Sequence, residues 1–371
     1  MDRVVVTGAK RVVIKVGSST LTGSAGHELD EAAVAALVNE VALIRGRGAE
    51  VVLVSSGAIA AGLAPLGLKV RPKDLATQQA AASVGQGRLI ASYNKCFEQH
   101  SIIASQVLLT IDDVVRRSHY QNAQRTLFRL IQMGVVPIIN ENDSVGVSEI
   151  RFGDNDRLAA LVSHLIGADL LVLVTDVDGL YDAPPSHVGA KRISSVPDVS
   201  RLGDVEIGGV GSSGVGSGGM VTKVEAARIA TSAGVSVLLT TLAELPKAID
   251  GDDVGTVFVA RTDRKPSRLL WLAHASTPHG KLLLDAGATT AIKERGTSLL
   301  AAGVNGVEGE FMAGDTVELL SPSREVIARG LVAFDSAEIP AMLGKTTKQL
   351  AIELGAEYER ELVHRDDLVL L

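Results

Sequence analysis

The chain has 371 residues, 46% of them apolar and 21% charged, which suits a folded protein of two domains with sizeable cores. A net charge of −7 argues against a broad nucleic-acid-binding face or attachment to an anionic membrane. Cys96 is the single cysteine, which excludes an intrachain disulfide and a cysteine-based zinc cluster within one chain. No signal-peptide pattern opens the sequence and no apolar run reaches the length of a membrane span, so a soluble cytoplasmic protein is expected.

Apolar runs and helical patterns alternate from Arg11 to about Gly251. "RVVIKV" predicts a buried strand and Asp30–Arg47 a helix; "EVVLVSS" predicts a second strand and Asp74–His100 a long helix. "IIASQVLL" reads as a strand, Ser118–Met133 as a helix, and "VVPIIN" and "DLLVLVTD" as further strands. A helix over Met220–Ala233 and a strand at "VSVLLT" follow. Repeated β-α-β units imply an α/β fold, a mainly parallel sheet between layers of helices. With aromatics at only 3%, its core must be mostly Ala, Val, Leu and Ile. From about Gly280 the segments become short and strand-like, with one helical piece at Thr346–Gly355 and a final run Leu368–Leu371. The expected division is a first domain at 1–265, a linker at 266–278 and a small mostly-β domain at 279–371.

Ligands of open α/β sheets gather beyond the carboxyl ends of the strands. The first strand carries Lys15 into Gly17-Ser18-Ser19, and the second ends in Ser55-Ser56-Gly57. "VVPIIN" runs into Asn140, Asn142 and Asp143, and "LLVLVTD" ends in Thr175-Asp176. A polar turn after any one strand is ordinary turn chemistry; four in succession suggest a shared site. Lys15 stands out because a lysine inside the apolar run Val12–Val16 is costly to bury without an anionic partner. Asp154 and Asn155 suit a helix cap, a role that does not exclude ligand contact.

"GSGGMVTK", Gly216–Lys223, has the parts of a phosphate loop, but its lysine follows the last glycine by four positions, unlike a Walker A loop. The stretch Ile207–Gly219 contains seven glycines, too many for a core element, and reads as a mobile loop. It feeds directly into an amphipathic helix with a lysine in the first turn, an arrangement that favours anion binding over a simple linker. "HRDDLVLL" resembles the H-R-D loop of protein kinases, but the asparagine and D-F-G that such a loop requires do not follow Asp366.

Six pieces, "VVIKVGSSTLT", "VSSGAIAAG", "VVPIINENDSV", "RFGDNDRLAALV", "LLVLVTDVDGLY" and "GSGGMVTKVEAA", resemble in their order the amino acid kinase family. Within it they are most similar to the members that phosphorylate free L-glutamate, and "GKLLLDAGATTAIKERGTSLLAAGV" looks like the PUA domain that many of those carry. The resemblance implies transfer of the γ-phosphoryl of ATP to the side-chain carboxylate of L-glutamate, the first step of proline biosynthesis. Lys15 and Lys223 would flank the transferred group, with Asp156 orienting both lysines. Ser56, Asp143 and Asn155 match glutamate-binding positions, Asp143 selecting the free α-ammonium over an N-acylated one. Lys15, Thr175, Asp176, Ser217, Gly218, Gly219, Met220, Val221, Thr222 and Lys223 match ATP-binding positions. Magnesium would arrive with ATP, and no all-protein metal site is expected.

The resemblance further implies a homo-oligomer, feedback inhibition by proline and hand-off of the acyl phosphate to a reductase. PUA domains are best known in RNA-modifying proteins. Residues 277–371, however, hold nine Lys or Arg against fifteen Asp or Glu, so RNA is not the expected partner.

Overall fold

The structure, a computed structural model, describes residues 3–22, 28–114, 117–144, 154–183, 187, 189–199, 202, 219–260 and 278–371. The chain divides into two units, 1–264 and 265–371.

In chain order the first unit contains α1 (Val4–Thr7), β1 (Arg11–Val16), α2 (Ser18–Leu21), α3 (Glu31–Gly46), β2 (Glu50–Ser55) and α4 (Ala58–Leu63). Next come α5 (Leu75–Glu98), β3 (Ala104–Leu109), α6 (Arg117–Gln132), β4 (Val136–Glu141), α7 (Asp154–Leu165) and β5 (Leu170–Thr175). The unit continues with β6 (Leu180–Tyr181), β7 (Arg192–Ile193), β8 (Ser195–Val196), α8 (Met220–Ser232), β9 (Ser236–Thr241), α9 (Leu245–Asp250) and β10 (Thr256–Phe258). Eight strands form one sheet in the order β3-β4-β2-β1-β5-β9-β10-β8. From β3 to β9 every pairing is parallel; β10 then turns antiparallel to β9 and takes β8 parallel beside it. The sheet is thus mainly parallel, and its central strands are near-continuous apolar runs because helices cover both faces.

On one face Val12, Ile14 and Val16 of β1 pack into a core with α3 and α5. Helix α3 forms because Asp30 caps it, accepting from the amides of Ala32 and Ala33, and because Val34, Leu37, Val38, Val41 and Ile44 share one stripe. Strand alternation turns Val13 and Lys15 to the opposite face. There α7 packs against α8, burying Leu158, Ala159, Ala160 and Val162.

The turn after β2 depends on backbone freedom and close approach. Gly57 has φ +102°, a left-handed conformation that lets α4 start at once beyond Ser56. Helix α4 then meets α5 backbone to backbone at Gly62 and Gly85, where an added Cβ would fall 1.9 Å from the carbonyl oxygen of Ala81 and 1.8 Å from that of Ala58. Only glycines permit this contact, and it sets where Ser56 sits.

The second unit contains β11 (Gly280–Leu284), α10 (Ala286–Arg295), β12 (Val304–Gly309), β13 (Thr316–Leu320), β14 (Val326–Leu331), α11 (Thr347–Glu353) and β15 (Leu368–Leu370). Its five-stranded sheet runs β12-β11-β13-β14-β15, antiparallel except for the β11–β13 pair. Helix α10 corrects the expectation of a single helical piece here. Of its residues only Ile292 is buried, so it carries no apolar stripe, and its ends hold the signal instead. Asp285 caps it by accepting from the amide of Ala288 at 2.6 Å, and Gly296 closes it with φ +59°.

Candidate active site

The registers of β1, β2 and β5 bring their carboxyl ends level. Lys15 stands opposite Val54 and Leu173, one residue before Val16 meets Ser55 and Val174. At this level the buried face of α7 delivers Asp156, which is 0% exposed. Lys15 Nζ lies 2.6 Å from Asp156 Oδ1, and Lys223 Nζ, from the first turn of α8, lies 3.4 Å from Oδ2. Thr222 Oγ1 donates to the same Oδ2 at 2.8 Å. Lys15 and Lys223 are themselves only 5% and 7% exposed. Burial alone would push the Asp156 carboxyl up, but the two ammoniums and the hydrogen bonds from Lys15 and Thr222 hold it below the usual carboxylate range. Burial pulls the Lys223 ammonium down; Asp156 works against that, and Lys15 adds to it.

Two cations on one carboxylate leave an excess positive charge in a desolvated place. Such an excess is expensive unless an anion completes it.

The start of α8 lies beside this triad. Gly219 caps the helix with extended backbone, and among the described residues nothing beyond its immediate chain neighbours lies within 4 Å of where its Cβ would be, which leaves room there for a ligand. Met220 is half-buried and Val221 exposed. Ser217 and Gly218, the other positions expected in this loop, lie outside the described residues. At the end of β5, Thr175 Oγ1 donates to Asp176 Oδ1 at 3.0 Å, and the Asp176 charge is felt at Lys223. The helix start and the β5 turn therefore border one space, although Lys223 follows Asp176 by 47 positions in sequence.

A second cluster lies one strand away. Asn155, next to Asp156, donates from Nδ2 to Ser56 Oγ at 3.0 Å and to Asn140 Oδ1 at 3.2 Å. The adjacent Ser55 hydroxyl meets the buried Tyr93 hydroxyl at 2.9 Å, tying β2 to α5. Asp143 follows the end of β4 and lines a cavity of about 240 Å³ with Gln86, Gln106 and Asn142. Burial draws the guanidinium of Arg71 down while the Asp143 charge pushes it back up, so these opposite charges are neighbours.

Ser56 and Asn155 are thus hydrogen-bonded to each other, Asn155 adjoins Asp156 in sequence, and Asp156 binds both lysines. Asp143 stands at the cavity beside Gln86. Sequence reasoning had no access to Gln86, Tyr93 or Arg71, because each reaches the site from α5 or the loop before it, without a local motif.

Comparison with known proteins agrees with this architecture. The amino acid kinase family matches residues 10–241 and the PUA domain matches residues 280–354. The chain is 59% identical over 363 residues to the glutamate 5-kinase of Streptomyces coelicolor, covering 98% of this chain and 97% of that one. It is 57% identical over 366 residues to the glutamate 5-kinase of Salinispora arenicola, 99% of each chain being covered. With the glutamate 5-kinase of Bifidobacterium longum it shares 52% over 370 residues, 100% of this chain and 98% of the other. Carrying a buried two-lysine, one-aspartate cluster at its strand ends and a PUA domain after its α/β sheet, the chain belongs to the amino acid kinase family.

Proposed function

We propose that this protein is a glutamate 5-kinase, which transfers the γ-phosphoryl of ATP to the side-chain carboxylate of L-glutamate and yields γ-glutamyl phosphate for proline biosynthesis. The observation that carries the reading is the net positive, desolvated cluster Lys15–Asp156–Lys223. Phosphoryl transfer needs little covalent help from a protein; it needs its charge offset and its reactants aligned. Lys15 and Lys223 would offset charge on the oxygens of the transferred group from two sides. Asp156, held ionised, fixes both ammoniums in place without neutralising both. The attacking carboxylate is already ionised near pH 7, so no general base is required.

The remaining roles follow from position. Gly219, Met220, Val221 and Thr222 at the start of α8, with Thr175 and Asp176 after β5, would hold the nucleotide, the helix N-terminus favouring its phosphates. Ser217 and Gly218 are assigned there by sequence. Mg-ATP is the co-substrate, magnesium travelling on the nucleotide. Ser56, Asn155 and Asp143 would hold L-glutamate, the Asp143 carboxylate meeting the α-ammonium. An N-acylated glutamate would leave that carboxylate unpaired and is disfavoured. We assign residues 1–265 to catalysis, and the same reading carries with it proline as feedback inhibitor, self-association, a reductase receiving the product and a cytoplasmic location.

The test is trapping of the acyl phosphate with hydroxylamine. Purified protein with Mg-ATP should give hydroxamate with L-glutamate, and far less with N-acetyl-L-glutamate or L-aspartate. A preference for N-acetyl-L-glutamate would overturn the role of Asp143; no product from any of the three acids would overturn the reaction.

A further inference from the structure

The second cluster contains a chain of amides whose direction is fixed at one end. A backbone N–H can only donate. The Glu141 amide donates at 2.9 Å to a side-chain atom of Asn140, and that atom must therefore be the carbonyl oxygen Oδ1. The other end of the same side chain, Nδ2, then donates to Gln86 Oε1 at 2.7 Å. Asn140 is only 1% exposed, so both ends of its amide are committed inside the protein. Because Asn140 Oδ1 is an acceptor, the atom of Asn155 that meets it must be Nδ2, whose two hydrogens go to Asn140 and to Ser56 Oγ. Asn155 is left with one unused group, its carbonyl oxygen. Oδ1 is buried and has no hydrogen-bond partner among the described residues.

A buried acceptor without a donor is costly, and a native structure keeps one where something else supplies the donor. We infer that Asn140 and Gln86 are positioning residues for substrate selection: they lock the Asn155 amide with its carbonyl oxygen free to accept from the α-ammonium of the amino acid. The inference rests on the reading of this site as a glutamate site. An ammonium has three donors and no acceptor, so it matches a free carbonyl oxygen and would be repelled by an amide turned the other way. Asp143, two residues beyond Glu141, supplies the countercharge; Asn155 supplies the direction.

Discrimination by α-ammonium should therefore depend on residues that never touch the substrate. Gln86 lies 54 positions from Asn140 in sequence and is half-buried on α5. Removing Asn140 frees the Asn155 amide to turn, and removing Gln86 loosens Asn140, which the Glu141 amide still holds.

The experiment measures kcat, KM for L-glutamate and KM for ATP in the full chain, together with competition by glutarate, which lacks the α-ammonium. Asn140→Leu removes the acceptor that orients Asn155. It should raise KM for L-glutamate about ten- to hundredfold, the range of one hydrogen bond to a charged group. The glutarate inhibition constant and KM for ATP should stay within about threefold under the same scale. Gln86→Leu should move KM for L-glutamate in the same direction by less, because the Glu141 amide still holds Asn140. Gln86→Glu keeps an acceptor oxygen for Asn140 and should restore the wild-type value.

Should Asn140→Leu fail to fold, the Gln86 pair carries the test alone. Equal weakening of L-glutamate and glutarate would reduce both residues to structural packing and overturn the inference. So would failure of Gln86→Glu to restore KM, an unchanged KM in both leucine variants, or an effect confined to ATP. A wild-type protein inactive toward L-glutamate would overturn this inference together with the reading it rests on. An active wild type with unaltered variants would sink the amide relay alone.

Discussion

The two units bury charge in opposite ways. In the first, Lys15, Asp156 and Lys223 are almost wholly out of water and both ammoniums lie within 3.4 Å of the Asp156 carboxylate, with Asn140, Ser55 and Thr175 also buried at strand ends. In the second, the buried polar residues among those described are Thr316 and Ser321, and charge is spread over surface pairs such as Lys345–Glu353 and Arg324–Glu308. Its core is Leu282, Val317, Ile327, Met342 and their neighbours. Buried ion clusters rarely add stability over an apolar replacement, so a protein that keeps one beside a parallel sheet keeps it for chemistry. An apolar core ringed by exposed ion pairs, as in the second unit, is what stability alone requires.

The largest effect that would break this comparison comes from the shared carboxylate. Asp156→Leu leaves two buried ammoniums uncompensated. Unfolding by denaturant should show a loss of about 3–5 kcal/mol, with hydroxamate formation abolished. A stable, active Asp156→Leu protein would mean that the cluster is not the engine of the first unit.

In the second unit an equally large stability cost should leave chemistry untouched. Phe334 stacks on Tyr358 with centroids 5.4 Å apart, and the Arg360 guanidinium lies 4.5 Å from its ring. Phe334→Ala should cost about 3–5 kcal/mol in that unit, read by thermal unfolding, while kcat and both KM values hold. Gly85→Ala probes the scaffold under Ser56: a Cβ there meets the Ala58 carbonyl, and about 1–3 kcal/mol should be lost. Unlike Phe334→Ala, it should also raise KM for L-glutamate.

A pH profile separates Lys223 from an ordinary lysine. Lys223 has a folded pKa below its unfolded value, chiefly through burial, so the native state sheds this proton first. Between the two pKa values the unfolded chain binds more protons, and the contribution of Lys223 to stability rises with pH. Activity needs the ammonium and should fall over the same window, with an alkaline limb beginning below the ordinary lysine range. In Lys223→Arg the residual activity should hold flat through that window. The smallest effect belongs to the surface: Lys345→Ala, breaking a 2.7 Å exposed pair, should change stability by less than about 1 kcal/mol.

The central strands β1, β2, β4, β5 and β9 were readable because burial on both faces writes itself as continuous apolar runs, and Lys15 was readable as the exception within one of them. Strands β6, β7, β8 and β10, of two or three residues each, are too short to write a pattern. Lys223 was readable from the glycines before it. Asp156 came from its family motif, since nothing local distinguishes it from a helix-capping acid. Gln86, Tyr93 and Arg71 were not readable: their partners are distant in sequence, and a half-buried glutamine on a long helix looks like any solvent-facing one. Helix α10 was missed for a different reason. It buries one side chain and is held by its caps, so periodicity, the strongest local signal, was missing.

The central claim is that two lysines, held by one aspartate, carry phosphoryl transfer to L-glutamate. Its most direct test is kcat and KM for Lys15→Met and Lys223→Met with Mg-ATP and L-glutamate. Each should lose about 10²–10³-fold or more in kcat, the effect of removing one charge-stabilising donor, with KM for L-glutamate nearly unchanged. Either variant turning over at the wild-type rate would contradict the account.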